Sequence, residues 1–444
     1  MKAFAQKTLF LLAGALLGAP TVGAAQVAGG TQVTGDEVPG TVYEGELAAL
    51  AASPAVARAL QLVEERDARV MADLLELTEI PAPPFMEEAR AARFLEMLLD
   101  LGVDSAWVDE EGNVLGLRRG TGSDEVVAVA GHLDTVFPEG TDVTVRQRGD
   151  TLFAPGIADD TRGLVTVLAL LRALNESDIQ TSANLLFIGT VGEEGLGDLR
   201  GMKHLFHNGG PRIDSFVSID GVGHEDITHM GLGSHRYRVT IRGAGGHSWS
   251  DFGAPNPAHA LGRAIDYLDL SADAITRSGP VTSYNVGRLG GGTSVNSIPF
   301  EAWMEVDMRS ESPESLERID EVFQRAMNRA VDEANAQRRE GNELTLDLEL
   351  IGNRPSGEIA ESDPLVQRAI AASHFLGIEP LLGRSSTDAN IPISMGVPAI
   401  TIGGGGEASA THAPGEWFIN RNGPLGIKRA LLIVLSQARI AIPS

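Results

Sequence analysis

The feature that most constrains the fold of this chain is residues 126–138, VVAVAGHLDTVFP. Residues 126–130 form a continuous apolar run, the pattern of a strand covered on both faces in a parallel sheet. The run breaks at Gly131 and leaves His132 and Asp134 at its end. Residues two apart on a strand share a side, so both would project from the carboxyl end, where open α/β sheets place their ligands. A metal-ligating histidine usually has its second ring nitrogen held by a carboxylate. The spacing suits a metal on His132, with Asp134 steadying the ring. A surface histidine beside a solvated aspartate has the same spelling, so the rest of the chain must decide.

The periodicity elsewhere supplies the frame. Helices are expected over 54–78, ended by the prolines of residues 80–84, and over 87–101, stopped by Gly102. Short strands at 106–108 and 114–117, a helix at 164–174 and strands at 184–190 and 215–219 follow. This βα alternation predicts an α/β domain with a mostly parallel sheet and helices outside it. The character changes near residue 230. A strand at 235–242, a helix at 257–268, strands at 282–289 and 297–308, a helix at 312–338 and a strand at 344–351 spell β-α-β-β-α-β. That is a ferredoxin-like unit inserted into the first domain. The first pattern resumes after Pro355, with a helix at 364–376, a strand at 399–402 and a helix at 424–441. The expected division is therefore 46–229 and 353–444 for the main domain and 230–352 for the insert.

The chain opens with Lys2 and Lys7, an apolar stretch at 9–18 and small residues through Ala24 and Ala25. This reads as a secretory signal over 1–25, its apolar core too short to span a membrane, and predicts export to the periplasm or beyond. A buried N-terminal helix is the alternative reading. Residues 26–45 are expected to be a flexible mature start. There is no cysteine, so no disulfide or lipoprotein anchor can form. With 60 acidic against 35 basic residues and a net charge of −25, neither nucleic acid nor an anionic membrane is an expected partner.

Four further positions join His132, each at or just after the end of an expected strand. They are Asp159-Asp160, Glu193-Glu194, Asp220 and His412. Each has a plain reading alone: a helix cap, two exposed glutamates, a turn aspartate, a loop histidine. Together, two histidines and three carboxylates make a mixed nitrogen and oxygen set suited to two zinc ions.

These motifs, in this order, resemble the dinuclear zinc peptidase and amidohydrolase family of glutamate carboxypeptidase, peptidase T, acetylornithine deacetylase and succinyl-diaminopimelate desuccinylase. The resemblance spans roughly 55–444. It implies His132 and Asp220 on one zinc, Glu194 and His412 on the other, and Asp159 bridging them. Cobalt or manganese could exchange for the two zinc ions. Asp134 matches the family's aspartate behind the histidine ligand, and Glu193 its general base. The insert resembles the family's dimerisation or lid domain. His247, in Gly246-His247-Ser248, matches a histidine that reaches a neighbouring active site in dimeric members. Asn296 and Arg309 match positions that hold a substrate carboxylate or stabilise an oxyanion, though hydrogen bonds at strand ends would also account for them. Where many relatives carry Lys after the paired acids, this chain has Thr161-Arg162. His204, His207, His224, His229, His235, His259 and His374 match no ligand motif and read as structural or surface groups.

The function implied is metal-assisted amide hydrolysis by an exported exopeptidase acting on small peptides, with a homodimer formed through the insert. An N-acyl amino acid deacylase on the same site is the alternative, and a catalytically inactive binding protein the remote one.

Overall fold

The computed structural model describes residues 31–32, 40–207 and 210–441. The expected signal segment, 1–25, lies outside them. Of the expected flexible start, residues 40–45 instead belong to a helix, Gly40–Ala51. The reason is packing: Leu47 and Ala51 are buried, and Arg368 of the helix Pro364–Phe375 lies over the Tyr43 ring. The single helix expected over 54–78 is two helices, Pro54–Glu65 and Asp67–Thr78, broken at Arg66.

The main domain is built on a ten-stranded sheet. Its centre is parallel: Ala399–Ile402, Ser215–Ile219, Val126–His132 and Asn184–Thr190 lie side by side in that order. Val114–Arg118 and Ser105–Val108 extend one side antiparallel. Asp226–Gly231 and Leu381–Ser385 extend the other. The central strands are apolar throughout because helices cover them. Helix Thr161–Glu176 is buried through its first fourteen residues and leans on Val126–His132. The approach is close: a Cβ on Gly131 would stand 2.8 Å from the Gly163 backbone, and one on Gly163 only 2.4 Å from the Ile219 carbonyl. Glycine at both positions lets the helix start sit directly on the strand end.

The insert has its own antiparallel sheet, ordered Thr282–Gly291, Glu301–Ser310, Gly233–Arg242, Thr345–Arg354. Helices Pro257–Thr276 and Pro313–Ala336 pack on it. This is the expected ferredoxin-like order. Strand Glu301–Ser310 buries every second residue, and Leu316, Ile319, Phe323, Met327 and Ala330 put the helix stripe on that face. The last strand runs through Arg354, past the expected boundary at 352. Both crossings between the domains are held by one buried side chain: Asn390 Nδ2 donates to the carbonyls of Leu232, at 2.9 Å, and Pro355, at 3.0 Å.

A small second sheet was not legible in the sequence. Glu407–Ser409, Trp417–Ile419, Thr151–Phe153 and Arg146–Arg148 pair antiparallel. It brings the loop after 153 against the loop around 412.

Candidate active site

The carboxyl ends of the central strands converge on one acidic cleft of about 370 Å³. His132 ends its strand and is 2 % exposed. Its Nε2 lies 3.0 Å from Asp159 Oδ1, and its Nδ1 lies 3.0 Å from the carbonyl oxygen of Asp134. The Asp134 carboxylate is 3.7 Å from that nitrogen. It also accepts from the backbone N–H groups of Glu193 and Glu194, at 3.1 and 2.8 Å. Asp134 therefore faces the ring with both its carbonyl and its carboxylate, and the carboxylate fixes the glutamate pair as well.

The two readings of Asp159-Asp160 are both realised, one by each residue. Asp160 is the helix cap, accepting from Gly163 N at 3.0 Å, and also binds the backbone N–H of Gly221 and His132. Asp159 faces the cleft, one oxygen toward His132 and the other 3.0 Å from His412 Nε2. The same His412 nitrogen is 3.0 Å from Glu194 Oε1.

Donor atoms of His132, Asp159 and Asp220 lie within 4.8 Å of one another, as do those of Asp159, Glu194 and His412. His132, Glu193 and Glu194 also meet that limit, but Asp159 is common only to the first two groups. The residues present fit cations: imidazole nitrogen and carboxylate oxygen are the donors that zinc and similar divalent ions take.

Electrostatics mark the same spot. Burial and nearby Asp159 push Asp220 up to about 7. Burial opposes ionisation of Asp159 too, but hydrogen bonds from His132 and His412 hold it well below the usual carboxylate range. Hydrogen bonds to Asp159 and Glu194 raise His412 to about 10. Burial pushes Glu193 well above the usual value, with Arg354 pulling against it and Glu194 adding to it. Such perturbation in a cleft is characteristic of a working site.

Several site residues were not read from the sequence. Arg354, at the end of the last insert strand, donates from Nη1 to Glu193 Oε1 at 3.0 Å and from Nη2 to the Glu193 carbonyl. Arg236 and Arg309 face the cleft from neighbouring insert strands and share Asp307, at 2.9 and 2.7 Å. Asp388 is buried and accepts from the Thr190 hydroxyl. Burial pushes it up to about 6. Arg309 is thus brought to the site as expected. His247 and Asn296 are not. They lie on either side of the ribbon of Gly246–His247 and Ser297–Ile298, where His247 pairs with Ser297 and Ser248 N donates to the Asn296 carbonyl at 3.0 Å. Neither lines the cleft of its own chain. Buried His229 binds the Ile359 carbonyl and His235 binds Asp320, so both are structural.

The sequence model described as Peptidase family M20/M25/M40 matches residues 128–435. A protein of Pyrococcus abyssi named putative LysW-lysine/LysW-ornithine hydrolase is 27 % identical over 357 residues, covering 77 % of this chain and 86 % of its own. Carboxypeptidase G2 of a Pseudomonas species is 27 % identical over 328 residues, covering 70 % and 75 %. The crystal structure of aminopeptidase PepT from Bacillus cereus superposes with a TM-score of 0.67 at 21 % identity, over 84 % of this chain and 99 % of that one. That last likeness establishes the fold.

Proposed function

The chain belongs to the peptidase family M20/M25/M40 and is a metal-dependent hydrolase of peptide or amide bonds; from that premise we propose that it is a dinuclear zinc exopeptidase acting on small peptides. The observation that carries this reading is the Asp159 carboxylate, spanning His132 on one side and His412 on the other with Glu193 beside them. His132 and Asp220 would hold one ion, Glu194 and His412 the other. Bound there, the ions would polarise the scissile carbonyl and lower the pKa of a water in the cleft.

The chain's own groups carry the proton. Glu193 is buried, fixed through its backbone by Asp134 and through its carboxylate by Arg354. A carboxylate whose pKa is raised by burial can take a proton from water and return it to the leaving amine near neutral pH. The cleft also defines what it binds. Arg236 and Arg309 share a single carboxylate, Asp307, which leaves one positive charge facing the cleft. A guanidinium there suits a free carboxylate beside the scissile bond, as the C-terminal residue of a peptide provides. An N-acyl amino acid offers the same group, and a relative from Corynebacterium glutamicum carries the name succinyl-diaminopimelate desuccinylase. This sustains deacylation as the second reading.

Two features of the proposal reach beyond the cleft. His247 and Asn296 sit on an exposed ribbon flanked by Trp249 at 86 % and Phe252 at 72 % exposure. We assign them to the cleft of a second copy, in a homodimer formed through the insert. The basic, apolar and small-residue start of the chain supports export to the periplasm or beyond, with the mature protein beginning near Gln26.

The deciding experiment loads purified protein with zinc and screens dipeptides, tripeptides and N-acyl amino acids, identifying the amine released. Release of C-terminal amino acids from peptides is the expected result. Cleavage confined to N-acyl substrates would replace exopeptidase with deacylase, and no hydrolysis at full metal loading would refute both.

A further inference from the structure

Glu416 has no part in the chemistry described so far, yet it is a fully buried carboxylate, 0 % exposed, at the back of the cleft. Its Oε2 accepts from Gly156 N at 2.9 Å. Its Oε1 accepts from Ala158 N at 2.8 Å and from Asp159 N at 3.2 Å. The turn that carries the bridging aspartate is thus wrapped around this one side chain. The backbone of the same residue fixes the other loop. Glu416 N donates to the Ala413 carbonyl at 3.0 Å, closing the turn that directly follows His412, and Ala154 N donates to the Glu416 carbonyl at 3.2 Å.

We propose that Glu416 is a positioning residue that sets the separation of Asp159 and His412, and through it the affinity of the chain for its metal ions. The inference rests on the metal-centre reading above. It concerns a residue that ligates nothing and exchanges no proton. The chemistry of the contact explains why a glutamate stands here. Three backbone N–H groups converge on two oxygens, and only a carboxylate accepts at both. Glutamine would turn an amide N–H₂ toward at least one of these donors. Aspartate would retract both oxygens by one bond. A buried carboxylate without a cationic partner is costly unless its lone pairs are used, and these are used entirely on the loop that bears the bridge. No ion pair to Glu416 occurs among the described residues.

Groups that orient metal ligands from behind typically change affinity by about 10–100-fold when removed. Glu416→Gln is therefore expected to weaken zinc binding by that factor in a chelator-competition titration, with Glu416→Asp intermediate. Because the lesion lies in ligand placement, saturating zinc should restore kcat/KM to within about threefold of wild type. A variant that is merely misfolded would not be rescued in this way. Wild-type protein that bound no metal would fail the dinuclear reading itself. Wild-type protein that binds metal, with Glu416→Gln binding it equally well, overturns this proposal alone. So does a variant whose affinity falls but whose activity stays low at full metal occupancy. Should Glu416→Gln not fold, Glu416→Asp decides by the same two measurements.

Discussion

Replacing Arg354 by methionine tests the electrostatic argument for Glu193 most directly. The pair is 3.0 Å apart, with side chains 5 % and 7 % exposed. At an effective dielectric of about 20, opposite unit charges at that distance attract by about 5 kcal/mol. Water entering the vacated space will reduce this, so the acid limb of kcat/KM should move alkaline by at least about two units. The sign follows from the role. Glu193 must be ionised to accept a proton, burial already raises its pKa, and loss of the arginine raises it further. Metal-saturated Arg354→Met should then be slow at pH 7 and recover as pH rises, while Arg354→Lys keeps an acid limb near wild type. Because removal leaves a buried carboxylate without its partner, the folded state should also lose ~3–5 kcal/mol. The assay is the pH profile of kcat/KM from pH 5 to 10 (about neutral to two or three units either side). An acid limb that moves by less than half a unit would refute the idea that this arginine governs the general base.

Other consequences are equally direct. Glu193→Gln should lower kcat by ~10²–10⁴ with metal content unchanged, whereas Glu194→Gln should lose one ion. Elemental analysis showing the reverse would exchange the two roles. In metal-free protein the folded-state values of Asp220, at about 7, and Asp388, at about 6, exceed those of the unfolded chain, as does that of His412, at about 10. The folded state then binds more protons, so stability falls as pH rises, from about 4 to 7 for the carboxyls and about 6.5 to 10 for the histidine. A chelator-treated sample whose Tm is no lower at pH 8.5 than at pH 6 would contradict these shifts. Mixing inactive Glu193→Gln with inactive His247→Ala chains should restore activity through hybrid dimers; failure in a sample proven to exchange subunits would remove His247 from the partner's cleft. Mass spectrometry of the exported protein should place its first residue near Gln26, and an intact Met1 would end the export proposal.

What could be read from the chain was whatever announces itself locally. His132, Asp159, Glu194, Asp220 and His412 each follow a strand or a loop signature, and the structure gathers all five. The alternation of the insert strands gave its topology. Arg354 and Glu416 escaped because their meaning lies in partners 161 and about 260 residues away. Neither has a neighbour that hints at a buried contact. The small sheet escaped for a different reason: three-residue strands such as Trp417–Ile419 are too short to show a period. The helix break at Arg66 had no proline or glycine to mark it. At Asp134 the sequence showed the carboxylate beside the ring, but not that the same carboxylate also holds the backbone of Glu193 and Glu194.

Asn390 gives the insert the mechanics of a lever. One amide nitrogen grips the outgoing chain at Leu232 and the returning chain at Pro355, so both tethers pass through a single fulcrum. Arg354 and Arg236 lie close to that point, so any rotation about it would carry them through only a short arc. The insert strand Gly233–Arg242 has 10 residues and therefore carries its far end about 30 Å out. A tilt of about 10° would move that end by about 5 Å on this arm length, with the Glu193 contact displaced by only a fraction of that. The ribbon bearing His247 lies beyond the long arm and the guanidiniums near the short one. A rotation about that point would therefore combine coarse travel at the rim with fine adjustment at the cleft.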